Sequence, residues 1–196
     1  AFARRVVAGL RRDGGAWRVM VNLRAGAWYG DGLEDGAARV KSVDGHAQSW
    51  AFWKTRANVH VLRDLVEADA AGLPESGLGL GPEPEPGPRP RPRLRGVVLL
   101  DSTRAGKRFP DSFSRPVPLW CAVVNRAVGH EDAGILLPPW LPESDSTRIS
   151  EKHLDAWAAQ FRALAGPELL ARVGRRRLRS AWVQNDEAAW GQPPFD

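Results

Sequence analysis

Residues 95–108 read RGVVLLDSTRAGKR, and the order of that string decides the fold. Val97 to Leu100 is a short, continuous apolar run, which predicts a buried strand of the parallel type. A loop dense in hydroxyls, glycine and cations follows it at once. In open α/β sheets, ligands bind at the carboxyl ends of the strands. Ser102 and Thr103 offer hydroxyls, and Gly106 lets the backbone approach a ligand. Arg104, Lys107 and Arg108 supply positive charge, and consecutive backbone N–H groups there can form an anion nest. Asp101 to Arg108 therefore reads as a phosphate-binding loop; the competing reading is a solvated basic turn capped by Asp101. It is not a Walker A loop, because G-x-x-x-x-G-K-[ST] is absent.

Outward from this strand, further elements alternate with it. The first 16 residues look helical and basic, and Trp17 to Leu23 suits a strand. Arg24 to Gly36 is glycine-rich and reads as a loop, and Lys41 to His46 as a polar turn. From Ala47 to Ala71 the pattern is helical, with Trp50, Trp53, Ala57, Val61 and Leu65 at three- and four-residue spacings. On the other side, a polar loop runs to about Ser114. Pro116 to Gly129 looks like a helix started by proline and closed by glycine. The ILLPPWLP stretch is extended. A capped amphipathic helix then ends at Gly166, and PELLARVG makes a second, short one. RRRLRSAWV reads as a strand with an arginine-rich entry. Strands separated by helices predict an α/β fold, a layered sheet with helices packed around it.

Between the two halves lies a stretch with Pro82, Pro84, Pro86, Pro88, Pro90 and Pro92 alternating with Gly, Glu and Arg. Such a stretch cannot be a helix or a central strand. Residues 72–95 are read as a disordered or extended insertion within one domain spanning 1–196, rather than as a domain linker. The elements on either side look incomplete alone.

The chain of 196 residues is 43% hydrophobic with nine Trp, enough for a real core. No apolar run approaches the roughly 18 residues that span a bilayer. The start, AFARRVVAGLRRDGG, has arginine inside its short apolar stretch and does not read as a signal peptide. Cys121 is the single cysteine, so a disulfide or a cysteine zinc site within the chain is excluded, and its apolar setting marks it as a core residue. A cytoplasmic location fits, with a nuclear one also compatible. The oligomeric state stays open. The net charge is +5, from 28 Lys and Arg against 23 Asp and Glu, with arginine dominant.

Two more regions carry chemistry. Lys41, Ser42, Asp44, Gly45 and His46 stand before a predicted helix, whose N-terminus attracts anions. Asp44 suits a Mg2+ ligand or a base, and His46 an acid, a base or a phosphate donor. The plainer reading is that Ser42 or Asp44 is a helix cap. Arg56 and His60 are spaced to share a helix face. Farther on, Arg172, Arg175, Arg176, Arg177 and Arg179 place five arginines in eight residues, a pattern suited to a nucleic-acid backbone.

These blocks carry a resemblance. KSVDGHAQSWAFWKTRANVHVL (41–62), followed by VVLLDSTRAGKRFPDSFSRPVPLWCAVVNRAV (97–128), is similar to the N-terminal domain of the initiator-tRNA 2'-O-ribosyl-phosphate transferases. NLRAGAWY (22–29), LLPPW (136–140) and AWV (181–183) match three further, shorter blocks. The resemblance runs from about Val21 to Val183. It departs at Val43, where the family has Thr, and at SFSRP, where Arg115 stands as the basic partner of Ser114. The proline-rich insertion has no counterpart, and the family's C-terminal domain, similar to dual-specificity phosphatases, does not follow within 1–196.

The resemblance implies a pentosyl transfer. The donor is 5-phosphoribosyl 1-pyrophosphate, and the acceptor is the 2'-hydroxyl of a T-stem purine nucleotide of initiator tRNA, which is thereby barred from elongation. Such a donor needs two anion sites. Lys41, Ser42 and Gly45 with Arg56, and Ser102, Thr103, Arg104, Gly106, Lys107 and Arg108, are the expected ones. Leaving-group charge must be neutralised by Mg2+, held by Asp101 or Asp44, or by arginine and lysine. Asp101, Asp44, Asp111 and His46 are the candidates for proton transfer. Arg24, Arg175, Arg176, Arg177 and Arg179 are the expected RNA contacts. The alternative is a non-catalytic RNA-binding module that keeps the fold.

Overall fold

The structure is a computed structural model that describes residues 2–11, 16–23, 32, 34–41, 50–71, 94–102, 109–142, 144, 151–174 and 176–183. Three parallel strands form its sheet: β1 (Ala16–Asn22), β2 (Gly36–Ala38) and β3 (Leu94–Leu100), in the order β2-β1-β3. β3 pairs parallel to β1, as its apolar run predicts, but it stands at the sheet's edge and Val97 to Leu100 are half-buried rather than buried. β3 begins at Leu94, so residues 94 and 95 of the expected insertion belong to the sheet; residues 72–93 lie outside the described residues. Since β3 pairs with β1, the chain on both sides of that stretch shares one sheet.

Two glycines let β1 carry large side chains in so small a sheet. A Cβ on Gly96 would stand 2.7 Å from the Trp17 ring, and one on Gly36 2.8 Å from the Met20 sulfur. Trp17 and Met20 thus fold across the neighbouring strands where those strands have no side chain.

Helix α1 (Phe2–Arg11) packs on β1, burying Val6 and Val7. Helix α2 (Val59–Ala71) packs on the sheet through Val61, Met20 and Ala38, with Leu65, Val97 and Leu99 around them. The larger core lies among the short turn-like α3 (Asp111–Ser114), α4 (Pro116–Ala127), α5 (Glu151–Ala165) and α6 (Pro167–Val173), where Phe161, Leu119, Val123 and Val124 are fully buried. Pro116 opens α4 at a position where its missing N–H costs nothing. Arg162 donates to the carbonyls of Arg126 (2.7 Å) and Ala127 (3.0 Å), satisfying the last turn of α4.

Three expectations need correction. The helix expected over 47–71 starts only at Val59. Before it come irregular residues, a 3-10 turn at Lys54–Arg56, and Asn58 in the left-handed region at φ 50°. The Asn58 side chain holds this break: Oδ1 accepts from Arg39 N (2.8 Å), while Nδ2 donates to the carbonyls of Arg39 and Arg56 (3.0 Å each). Residues 47–49 lie outside the described residues. The strand expected in RRRLRSAWV is absent as well. Residues 176–183 form no regular element, because Leu178 makes its backbone bonds to a side chain. Asn125 on α4 accepts from Leu178 N (2.7 Å) and donates to Leu178 O (2.8 Å). The loop expected to reach Ser114 contains α3, a single turn too short to show periodicity.

Candidate functional site

The strand order places β1 between strands that leave it in opposite directions along the sheet. The crevice at the carboxyl end of such a switch point is where parallel sheets bind ligands. β1 ends there in Asn22, which is only 2% exposed. A buried amide needs partners for every polar atom, and Asn22 has them. Its oxygen accepts from Val40 N (3.1 Å), and its nitrogen donates to Val40 O (2.9 Å) and to Asp101 Oδ2 (2.7 Å).

Asp101, the first residue after β3, is the other half of this junction. Its Oδ2 also accepts from the Ser112 hydroxyl (2.6 Å), and its Oδ1 accepts from Ser102 N (2.8 Å). Ser112 on α3 is 1% exposed. Three segments of the chain therefore meet at one carboxylate, the ends of β1 and β3 and α3, and Asn22 ties Val40, the residue before Lys41, to it.

This geometry joins the starts of both expected anion loops. Lys41 is exposed next to Val40, and Ser102 follows Asp101. Ser42, Asp44, Gly45 and His46 of the first loop lie outside the described residues, as do Thr103, Arg104, Gly106, Lys107 and Arg108 of the second, and Arg24 and Arg175. Asp111 opens α3, adjacent in sequence to Ser112. Arg56 lines a small pocket with Arg39, Val40 and Asn58, and its guanidinium lies 5.5 Å from the centre of the Trp53 ring. His60 Nε2 donates to Ala37 O (2.8 Å), so it supports β2 rather than facing Arg56 across a helix.

The described arginines of the C-terminal stretch are partly engaged within the chain. Arg176 pairs with Asp69, and Arg177 with Asp132 at 3.0 Å, while Arg179 is exposed. Trp182 donates to Phe113 O (3.0 Å) and meets Trp140 edge-on, and Trp140 stacks on Phe109 at 4.4 Å. Trp140 also donates to the Ser114 hydroxyl at 3.3 Å, so these rings brace α3.

Behind the sheet lies an apolar cavity of about 440 Å3, walled by Trp17, Val97, Trp120, Leu178 and Trp182. Cys121 is in its wall, and burial pushes the thiol up to about 11. At neutral pH it is a protonated core residue, not a nucleophile.

Among the described residues no three His, Cys, Asp or Glu side chains cluster as a metal site. A Mg2+ ion carried by substrate phosphates needs only one or two carboxylates from the protein, and Asp101 fits that lesser role. No described helix is long and apolar enough to cross a membrane.

Asn22 and Ser112 were not among the expected site residues. The signal for Asn22 was available, an uncharged polar residue ending an otherwise apolar strand run. For Ser112 there was none beyond its neighbour Asp111.

Comparison with known proteins adds an independent line. The family described as the Rit1 N-terminal domain matches residues 2–76 and 92–195. An uncharacterised protein of Schizosaccharomyces pombe is 28% identical over 178 residues, which cover 85% of this chain and 33% of that protein. The tRNA A64-2'-O-ribosylphosphate transferase of Saccharomyces cerevisiae is 28% identical over 176 residues, covering 84% of this chain and 29% of the enzyme. The chain thus spans about a third of the length of these curated relatives. No solved structure matches.

Proposed function

The chain belongs to the Rit1 N-terminal domain family, and from that premise we propose that the protein is a tRNA-modifying transferase. It moves the 5-phosphoribosyl group of 5-phosphoribosyl 1-pyrophosphate to a 2'-hydroxyl in the T-stem of initiator tRNA. The acceptor is a purine nucleotide, and the modified tRNA is barred from elongation. The relative from Saccharomyces cerevisiae supports the tRNA and ribosyl-phosphate parts of this reading by its name.

The observation that carries the reading is the junction of Asn22, Asp101 and Ser112 at the sheet's switch point. It sets a carboxylate between the starts of two cation-bearing segments, as a sugar phosphorylated at both ends requires. In the transfer, the bond between the ribose C1 and the pyrophosphate oxygen breaks, and its electron pair leaves with pyrophosphate. The tRNA 2'-oxygen bonds to C1, and its proton passes to a nearby acceptor. Asp101, Asp44, Asp111 and His46 are the residues proposed for proton transfer. Lys41, Ser42, Gly45 and Arg56, with 102–104 and 106–108, are proposed for the donor's phosphates. Bound Mg2+ would offset charge developing on the leaving pyrophosphate. Arg24, Arg175, Arg176, Arg177 and Arg179 are proposed for the RNA backbone. The ion pairs of Arg176 and Arg177 weaken the alternative, a non-catalytic RNA-binding module, which leans on those charges most.

The test is incubation of the intact protein with labelled donor, Mg2+ and initiator tRNA of its own organism. Label is expected on the tRNA with one pyrophosphate released per label, and none on a tRNA with a 2'-deoxy acceptor. Absence of transfer to the matched tRNA would refute the reading.

A further inference from the structure

The geometry points to Asn22 and Ser112 as positioning residues of the transfer, acting through Asp101; this rests on the transferase reading above. An ionised carboxylate has about four acceptor directions, two on each oxygen. Both directions on Oδ2 are taken, by Asn22 Nδ2 at 2.7 Å and Ser112 Oγ at 2.6 Å. Among the described residues Oδ1 accepts only from Ser102 N, at 2.8 Å, which leaves it one direction. Asp101 therefore meets a ligand with a single oxygen in a single orientation.

Neither holding residue can turn away. The second amide hydrogen of Asn22 is committed to Val40 O, and its oxygen to Val40 N. Ser112 and Asn22 are almost wholly buried, so water does not compete for either bond. A carboxylate without these two donors would rotate about its side-chain torsions and offer either oxygen. The open corner of Oδ1 suits one electropositive group of the reactants, either a ribose hydroxyl hydrogen or a cation carried by the donor's phosphates. Holding a reacting group in place is worth much of a rate enhancement, and a misplacement of about 1 Å costs on the order of 100-fold.

A brace that only stabilised the fold would behave differently. Cutting it would lower the melting temperature and leave the turnover of the folded fraction intact. A positioning residue lowers kcat in protein that is still folded.

The experiment compares Ser112→Ala, Ser112→Thr and Asp101→Asn with the unsubstituted intact protein. It reads kcat, KM for tRNA, the Mg2+ concentration giving half the maximal rate, and the melting temperature. Ser112→Ala is expected to lower kcat by roughly 10- to 100-fold, with KM for tRNA within about threefold and the melting temperature within a few degrees. Ser112→Thr restores a hydroxyl and is expected to recover part of the rate. Asp101→Asn keeps the shape but turns the open corner into an amide, and is expected to lose at least about 100-fold. A raised Mg2+ requirement in Ser112→Ala assigns the corner to a cation, and an unchanged one assigns it to the hydroxyl. Unchanged kcat in Ser112→Ala, or a rate loss that follows loss of folded protein, overturns the positioning role alone. No transfer by the unsubstituted protein removes both readings.

Discussion

Arg39–Val40 and Arg176–Val183 are alike in one respect and unlike in another. Neither stretch belongs to a strand, and both take backbone hydrogen bonds from buried asparagine side chains. An asparagine amide is a peptide group on a short stalk, able to pair with both the N–H and the C=O of one residue as a neighbouring strand would. Arg39 and Val40 are held by two such groups, Asn58 and Asn22, and Leu178 by one, Asn125. The difference lies in what the anchor does next. Asn22 has a third bond, to Asp101, and so links its segment to the sheet's ligand edge. Asn125 ends its bonding at Leu178, whose side chain lines the cavity behind the sheet. The same device serves a site in one place and packing in the other.

Replacing Asn22 should have the largest effect. Asn22→Ala strands the N–H and C=O of Val40 and removes a donor from Asp101. Each stranded buried group costs about 1–3 kcal/mol, so a loss of about 3–4 kcal/mol is expected in urea titration. Donor affinity by calorimetry should fall by more than about tenfold, because the two ends proposed to frame the donor are no longer tied. Retained affinity in the folded variant would erase the distinction between the two segments.

Asn58 comes next, and it separates backbone strain from hydrogen bonding. Asn58→Ala loses three side-chain bonds and must also hold φ 50° with a Cβ. Asn58→Gly loses the same bonds without that strain. Both should destabilise, with alanine worse by about 1 kcal/mol. Equal losses would mean that the turn relaxes out of the left-handed region.

These asparagines also explain where sequence reasoning stopped. The parallel character of β3, the helix ending at Gly166 and the proline-started α4 were legible, because burial periodicity and the placing of proline and glycine are local signals. Trp50, Trp53, Ala57, Val61 and Leu65 kept a helical spacing, yet residues 50–58 are not α-helical, and Trp53 is 54% exposed. Apolar spacing is blind to a side chain that replaces the helix's own hydrogen bonds. Leu178 to Val183 has strand-like residues, but its backbone partner is a helix side chain 53 positions away in sequence. At the site, Asp101 drew notice as a charge beside a strand end, and Lys41 as part of a polar turn. Ser112 did not, and Asn22 showed only as a polar end to an apolar run, since neutral polar residues gain meaning only from what they touch.

The smallest effect, and the sharpest use of the comparison, is expected at Asn125. Asn125→Ala leaves Leu178 N–H and C=O without their side-chain partner, as Asn22→Ala does for Val40. Leu178, like Val40, is half-buried between exposed neighbours, but Asn125→Ala removes two side-chain bonds where Asn22→Ala removes three. The ion pairs Arg176–Asp69 and Arg177–Asp132 continue to tether it, although exposed pairs contribute little each. A loss of about 2 kcal/mol is expected by urea titration, smaller than for Asn22. Donor affinity should stay within about threefold of the unsubstituted protein, since no bond from Asn125 reaches Asp101. A tenfold loss of donor affinity would mean that the C-terminal segment communicates with the sheet edge. The natural route is Trp182, whose indole N–H is bonded to Phe113 O on the same turn as Ser112. In that case the two asparagines would serve one site from opposite sides of α3.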